Sequence, residues 1–134
     1  MPGTAELRGK MFQFDDSERA QELADRAEDF VEEVVLPRER ELAGGAAVSE
    51  GTISDLREQA REYEVYAPQV GEEHGGLGYD FDDLLPTFEQ AGRSLLGPAA
   101  MRVDAPDEGN IHLLEMHGTD RQKEQYLDPL VAGD

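Results

Sequence analysis

The chain contains no cysteine and no tryptophan, and only three of its 134 residues are histidine. Without cysteine there is no disulfide, no thiolate nucleophile and no thiolate metal site. Positive charge is scarce as well. Twelve Lys and Arg stand against 31 Asp and Glu, a formal net charge of −19, and Lys10 and Lys123 are the only lysines. A field this negative repels phosphate backbones and anionic membrane surfaces, which argues against nucleic-acid and polybasic lipid binding. No apolar run approaches the roughly eighteen residues of a membrane span. The first residues lack a basic segment followed by an apolar one, so no secretory signal is expected. The expectation is a soluble cytoplasmic protein. Abundant carboxylates with few lysines suit molar salt, where the Debye length shrinks to about 3 Å and self-repulsion is screened. That composition predicts a halophilic protein.

What the sequence does have is helical periodicity. The length suits one domain, and 38% hydrophobic residues suffice for a core. Residues 1–14 keep no sustained period and are expected to form a loose leader whose Phe12 and Phe14 dock on the body. From Ser17, residues Ala20, Leu23, Ala24, Ala27, Phe30, Val31, Val34 and Val35 recur at three- and four-residue steps, with acids on the opposite face. Asp15 or Asp16 is the expected cap, and Pro37 should break or kink this helix. A second helix is expected after Thr52, with Asp55 completing a capping box and Ile53, Leu56, Ala60 and Tyr63 as its stripe. A third carries Phe81, Leu84, Leu85, Phe88, Ala91 and Leu95, with Pro86 in its first turn and Gly97-Pro98 at its end. A fourth starts near Pro106 and runs to Gly118. Thr119 with Gln122 forms a capping box for a fifth, in which Pro129 should introduce a kink. No strand is expected. The fold class is all-α, an up-and-down bundle of about five helices.

Local motifs give little chemistry. Gly75-Gly76-Leu77-Gly78 follows a helix rather than a strand and sits among Glu72, Glu73 and Asp80, so a structural turn is favoured over a phosphate cradle. His112 and Glu115 share a helix face, but in the reverse order of the Glu-x-x-His pairs of a four-helix di-iron site, and no metal site is expected. Paired carboxylates are too frequent to be informative. No nucleophile elbow occurs.

Three stretches carry a resemblance to a known family. Residues 30–37 (Phe-Val-Glu-Glu-Val-Val-Leu-Pro), the turn Ala67-Pro68 through Glu72-Glu73-His74-Gly75-Gly76-Leu77-Gly78, and residues 118–133 with Thr119, Gln122-Lys123, Tyr126-Leu127 and Pro129-Leu130 resemble the N-terminal helical domain of the acyl-CoA dehydrogenases. The resemblance spans residues 15–134. Gly92-Arg93-Ser94-Leu95 and Ala105-Pro106-Asp107-Glu108-Gly109-Asn110 resemble a long-chain subgroup found fused to kinase-like domains.

The resemblance implies a parent enzyme that binds FAD between a middle β-domain and a C-terminal helical domain. A carboxylate removes the α-proton of an acyl-CoA while the β-hydrogen leaves as hydride to the flavin, giving a trans-2-enoyl-CoA. Electrons pass to an electron-transfer flavoprotein, and relatives are homo-oligomers. Neither of the other two domains has a counterpart within these 134 residues, so no residue is nominated as the catalytic base. The chain is expected to be a fragment, a split part or a remnant, inactive alone and not holding FAD by itself. What the resemblance implies for this domain is one wall of the acyl-chain pocket. By position between the third and fourth helices, Ala100, Met101, Val103, Asp104, Ala105 and Asn110 are the candidate substrate-binding residues. The bland alternative makes Met101 and Val103 core and Asp104 an N-cap. The rival function is a stand-alone acidic helical module that binds a protein partner and performs no flavin chemistry.

Overall fold

The computed structural model describes residues 16–45 and 47–134. The expected leader, with Phe12, Phe14 and the cap candidate Asp15, lies outside the described residues. Those that are described form helices and turns, without a strand. Among the described residues six α-helices follow one another, one more than the periodicity indicates, because the short Gly97–Met101 is a helix of its own.

The first helix, α1, is a continuous rod over residues 18–42, made of Glu18–Phe30, a π-helical turn at Val31–Val35 and Leu36–Leu42. Its cap is Ser17, whose hydroxyl accepts from the Ala20 amide at 3.0 Å and donates to Asp83 at 2.7 Å. The described candidate, Asp16, is not the cap. Ala20, Leu23, Ala24, Ala27, Phe30, Val31 and Val35 are buried, the stripe seen in the sequence less the half-buried Val34. Pro37 does not break the rod. A proline lacks the amide for an i−4 bond, and its ring clashes with that carbonyl. Widening the preceding turn, with the Leu36 amide donating to Val31, accommodates it.

The second helix, α2, is Glu50–Glu62. It begins ahead of Thr52, because Ser49 caps it by accepting from the Thr52 amide at 3.1 Å. Thr52, Leu56 and Ala60 face the core. The following turn is held by backbone bonds from Leu77 to Ala67, Gly78 to Val70 and Tyr79 to Pro68. Gly76 is required here, since a Cβ would lie 2.1 Å from the Val70 carbonyl oxygen. Gly75 has φ +92°. The glycine cluster is a structural turn, as expected.

The third helix, α3, is Leu85–Ala91, entered through a 3-10 turn at Phe81–Leu84 with Pro86 in its first turn. It ends at Ala91 rather than at Gly97-Pro98. Glu39 of α1 accepts from the Ser94 hydroxyl and from the Leu95 amide, pinning the chain in a non-helical loop, and Leu95 stands 90% exposed instead of joining the stripe. Gly97-Pro98 opens α4, Gly97–Met101, which packs on α2. The fifth helix, α5, is Asp107–His117. The sixth, α6, covers residues 120–132 and starts at the expected Thr119–Gln122 capping box. Its π turn Lys123–Leu127 precedes Pro129 just as Val31–Val35 precedes Pro37, so the same device carries both helices past their prolines. One core joins these elements, with Phe30 against Tyr63 at 5.5 Å between ring centroids. No described helix is long and apolar enough to cross a membrane.

Candidate functional site

The segment that joins α4 to α5 is the centre of the candidate site. It leaves α4 through Arg102, in the left-handed region at φ +60°, and its path is fixed from both ends. The Val103 amide donates to Pro98 and the Glu108 amide to the Asp104 carbonyl, while Gln69 donates to the Arg102 carbonyl at 2.8 Å. Arg102 itself is 3% exposed, with two guanidinium nitrogens on the Leu130 carbonyl and a third 3.0 Å from Asp107.

The six candidate residues separate on this segment. Ala100 and Met101 are fully enclosed in the core and support the segment from beneath. Val103 and Asp104 are half-buried, Ala105 is exposed ahead of α5, and Asn110 is exposed in its first turn. Asp104 does not cap α5; its side-chain Oδ1 is buried without a hydrogen-bond partner among the described residues.

Of the six, Val103 lines a cavity. This is a pocket of about 180 Å³ walled by Phe81, Phe88, Ala91, Gly92, Pro98, Val103 and Glu108. A larger groove of about 560 Å³, bordered by Gln69, Tyr79, Leu84, His112, Glu115 and Met116, shares Phe81 and Glu108 with it. Phe81 and Phe88 meet edge to face at 6.0 Å, and Phe81 remains 64% exposed. Leu113 and Met116 on α5 are 58% and 60% exposed. Apolar side chains held this open to solvent form a surface suited to an apolar ligand or a further packing layer.

Phe81, Phe88 and Pro98 were missed as site residues because the first two lie on a helical stripe, and a stripe reads as core. Their seven-residue separation puts them on one face, but the pattern alone does not tell an inward face from a cavity wall.

His112 and Glu115 do not form a ligand pair. Glu115 accepts from the Gly71 amide at 2.8 Å and His112 is exposed, and no cluster of metal-ligating side chains exists among the described residues. The fit to a flavin is poor as well. An isoalloxazine needs a large apolar slot beside donors for its diphosphate. The pocket with mostly apolar walls is far too small, and the groove beside it is bordered by Asp80, Glu108 and Glu115. Neither of these two cavities fits a flavin.

Two groups titrate away from their ordinary values. Tyr63 is raised, first because its hydroxyl donates to Glu33 at 2.6 Å and then because of desolvation. Arg57 is lowered, first by burial and then by the neighbouring Arg102.

Comparison with known proteins agrees across three kinds of match. The family model described as "Acyl-CoA dehydrogenase, N-terminal domain" matches residues 17–134. Mouse "Acyl-CoA dehydrogenase family member 11" is 30% identical over 145 residues, covering 99% of this chain and 18% of the mouse protein. Mouse "Acyl-CoA dehydrogenase family member 10" is 31% identical over 114 residues, covering 78% of this chain and 11% of that protein. A solved chain titled "Structure of a putative acyl-CoA dehydrogenase from Mycobacterium abscessus" superposes with a TM-score of 0.75 at 32% identity, over 90% of this chain and 33% of that one. The chain thus spans about a fifth of the mouse family member 11 protein and a third of the solved one.

Proposed function

The chain belongs to the acyl-CoA dehydrogenase family as its N-terminal helical domain, and from that premise we propose that it supplies one wall of the acyl-chain pocket of a FAD-dependent dehydrogenase. The observation that carries this reading is the pocket walled by Phe81, Phe88, Pro98 and Val103, an apolar surface left open beside α5. A methylene chain gains about 0.8 kcal/mol per buried CH₂ against such a surface. Of the six candidates, Val103 supports this reading by lining the pocket, while Ala100 and Met101 lie in the core and Asp104, Ala105 and Asn110 are outside its lining.

The parent reaction is α,β-dehydrogenation of an acyl-CoA. FAD supplies hydride acceptance when bound, and the rest of the enzyme supplies the base and the flavin site. This chain alone is inactive and colourless. Its partners are the remaining dehydrogenase domains, with an electron-transfer flavoprotein as acceptor and a homo-oligomer as the complete assembly. The exposed Phe81, Leu113 and Met116 are the side chains those domains would cover. Carboxylates in excess and a −19 charge support adaptation to molar salt.

The test is co-expression with the two remaining domains of a family member. The expected outcome is a yellow complex that reduces an electron-accepting dye with acyl-CoA, whose KM for long chains rises in Val103→Asp while short-chain kcat is kept. An active complex whose chain-length profile ignores Val103→Asp and Phe88→Ala would remove this wall from the pocket. Failure to assemble, with capture of a non-flavin protein instead, would favour the stand-alone interaction module.

A further inference from the structure

We propose that Glu39 of α1 is a positioning residue for the apolar pocket. Through the loop of residues 92–96 it sets the angle between α3 and α4, and with it how bulky an acyl chain the pocket accepts. The proposal rests on the acyl-wall reading. The pocket lies in the crook between those two helices. Phe88, Ala91 and Gly92 belong to α3 and its end, and Pro98 and Val103 to α4 and its exit. Loop 92–96 is the hinge that joins the two sides.

Local sequence does not dictate that hinge. Leu95 continues the stripe of Leu84, Phe88 and Ala91, so a helix carried on to residue 95 would turn it inward. Instead α3 stops at Ala91 and Leu95 stays exposed. The Glu39 carboxylate meets the chain where it departs. One oxygen accepts from the Ser94 hydroxyl and the other from the Leu95 amide at 3.3 Å. The Ser94 hydroxyl in turn accepts from the Leu96 amide at 3.0 Å, and the Leu96 carbonyl accepts from the Ala100 amide at 2.9 Å. An unbroken series of hydrogen bonds thus runs from α1 into α4. The next step is tight. A Cβ on Gly97 would lie 2.2 Å from the Ala91 carbonyl oxygen, so α4 starts against the end of α3. At the far end the Val103 amide donates to Pro98 at 3.0 Å, which ties the two wall residues of that side together.

The loop has a second, weaker hold on α1. Arg93 lies 2.8 Å from Glu32 and 3.6 Å from Glu28, with all three side chains exposed. Exposed pairs of this kind contribute little and are screened by salt. Ser94 is buried, and its hydroxyl on a carboxylate makes a charge-assisted bond, stronger than a neutral one. The Glu39 contact therefore governs the hinge. The pocket is also small, about 180 Å³ against roughly 300–1,000 Å³ for ordinary ligand sites, so a slight opening of the crook changes what fits.

The test has two readouts. On the purified chain, residual dipolar couplings of the 85–91 and 97–101 amides report the angle between α3 and α4. Glu39→Ala should change that angle while the couplings of residues 18–30 hold. Glu39→Gln, which keeps an acceptor for Ser94, should change it less. In the co-expressed complex, Glu39→Ala should shift kcat/KM for methyl-branched relative to straight-chain acyl-CoA by about tenfold, through KM rather than kcat. Ser94→Ala should move both readouts the same way, the double variant no further than the larger single one, and it serves alone where Glu39→Ala does not fold. A lower Tm with an unchanged angle overturns the proposal and leaves Glu39 a staple only. An unchanged branched-to-straight ratio overturns it as well when Val103→Asp shifts the chain-length profile of the same complex. Where neither variant changes the profile, the wall reading fails and this proposal falls with it.

Discussion

Replacing Arg102 by Met tests how the end of α6 is held. Met keeps an unbranched apolar stem and meets the same φ of +60°, so backbone strain cancels between variant and parent. What is lost is the guanidinium. The Leu130 carbonyl loses donors at 3.0 and 2.6 Å, and Asp107 loses its partner at 3.0 Å. An orphaned buried acceptor costs about 1–3 kcal/mol. Breaking a buried ion pair costs about 3–5 kcal/mol, but Asp107 keeps 30% exposure and recovers part of that from water. The two losses share one side chain, so we expect about 3 kcal/mol in all, the lower end of the buried-pair range. For a domain of this size that lowers Tm by about 10 °C.

The measurement is urea denaturation followed by circular dichroism at fixed salt, with the m-value checked for two-state behaviour. Arg121→Met is the control, because it makes the same change in net charge at an exposed residue that has no ion pair among the described residues. Arg102→Met with Asp107→Asn should recover about 1 kcal/mol of the loss by removing the unpaired carboxylate. A loss under about 1 kcal/mol at unchanged m, equal to that of the Arg121 variant, refutes the claim that this guanidinium holds the helix end.

Three further outcomes follow from the same structure. Gly76→Ala drives a Cβ to 2.1 Å from the Val70 oxygen and should cost about 3 kcal/mol, whereas Gly109→Ala, in α5 with open space around it, should gain about 0.5–1 kcal/mol; paired denaturation curves of opposite sign check this. The raised Tyr63 pKa means that the folded state holds the phenolic proton more tightly than the unfolded chain. Its stabilisation is present below about pH 10 and is lost as pH rises through the raised value, so Tyr63→Phe should flatten that alkaline decline, read from stability between pH 8 and 11.5. Thermal melts in dilute buffer and in molar KCl should differ, with the midpoint higher in salt; coincident melts would sink the salt-adaptation reading.

The sequence by itself determined the helical class and most of the inward faces. Ala20, Leu23, Ala27 and Phe30 recur at a helical period that only a helix can bury on one side, and all four are buried. The Thr119–Gln122 capping box was legible because both partners lie within one turn. So was the family, since the glycine turn and the 118–133 stretch are local in sequence. Caps chosen among neighbours were not. Asp16 and Ser17 have similar local propensity, and the contact from Ser17 to Asp83, 66 residues away, goes with the choice of Ser17.

Tertiary structure alone decided the rest. Pro37 and Pro129 threaten the helix ladder on local grounds, yet each helix continues through a widened turn, and Val31, Val35 and Leu127 in those turns stay in the core. Leu95 leaves the helical stripe because Glu39, far away in the chain, takes its amide. The candidate wall changed in the same way. Met101 and Val103, two residues apart, face the core and a pocket respectively, because the left-handed Arg102 between them turns the chain. Periodicity reports which residues share a face of one element, but what that face meets depends on elements tens of residues away.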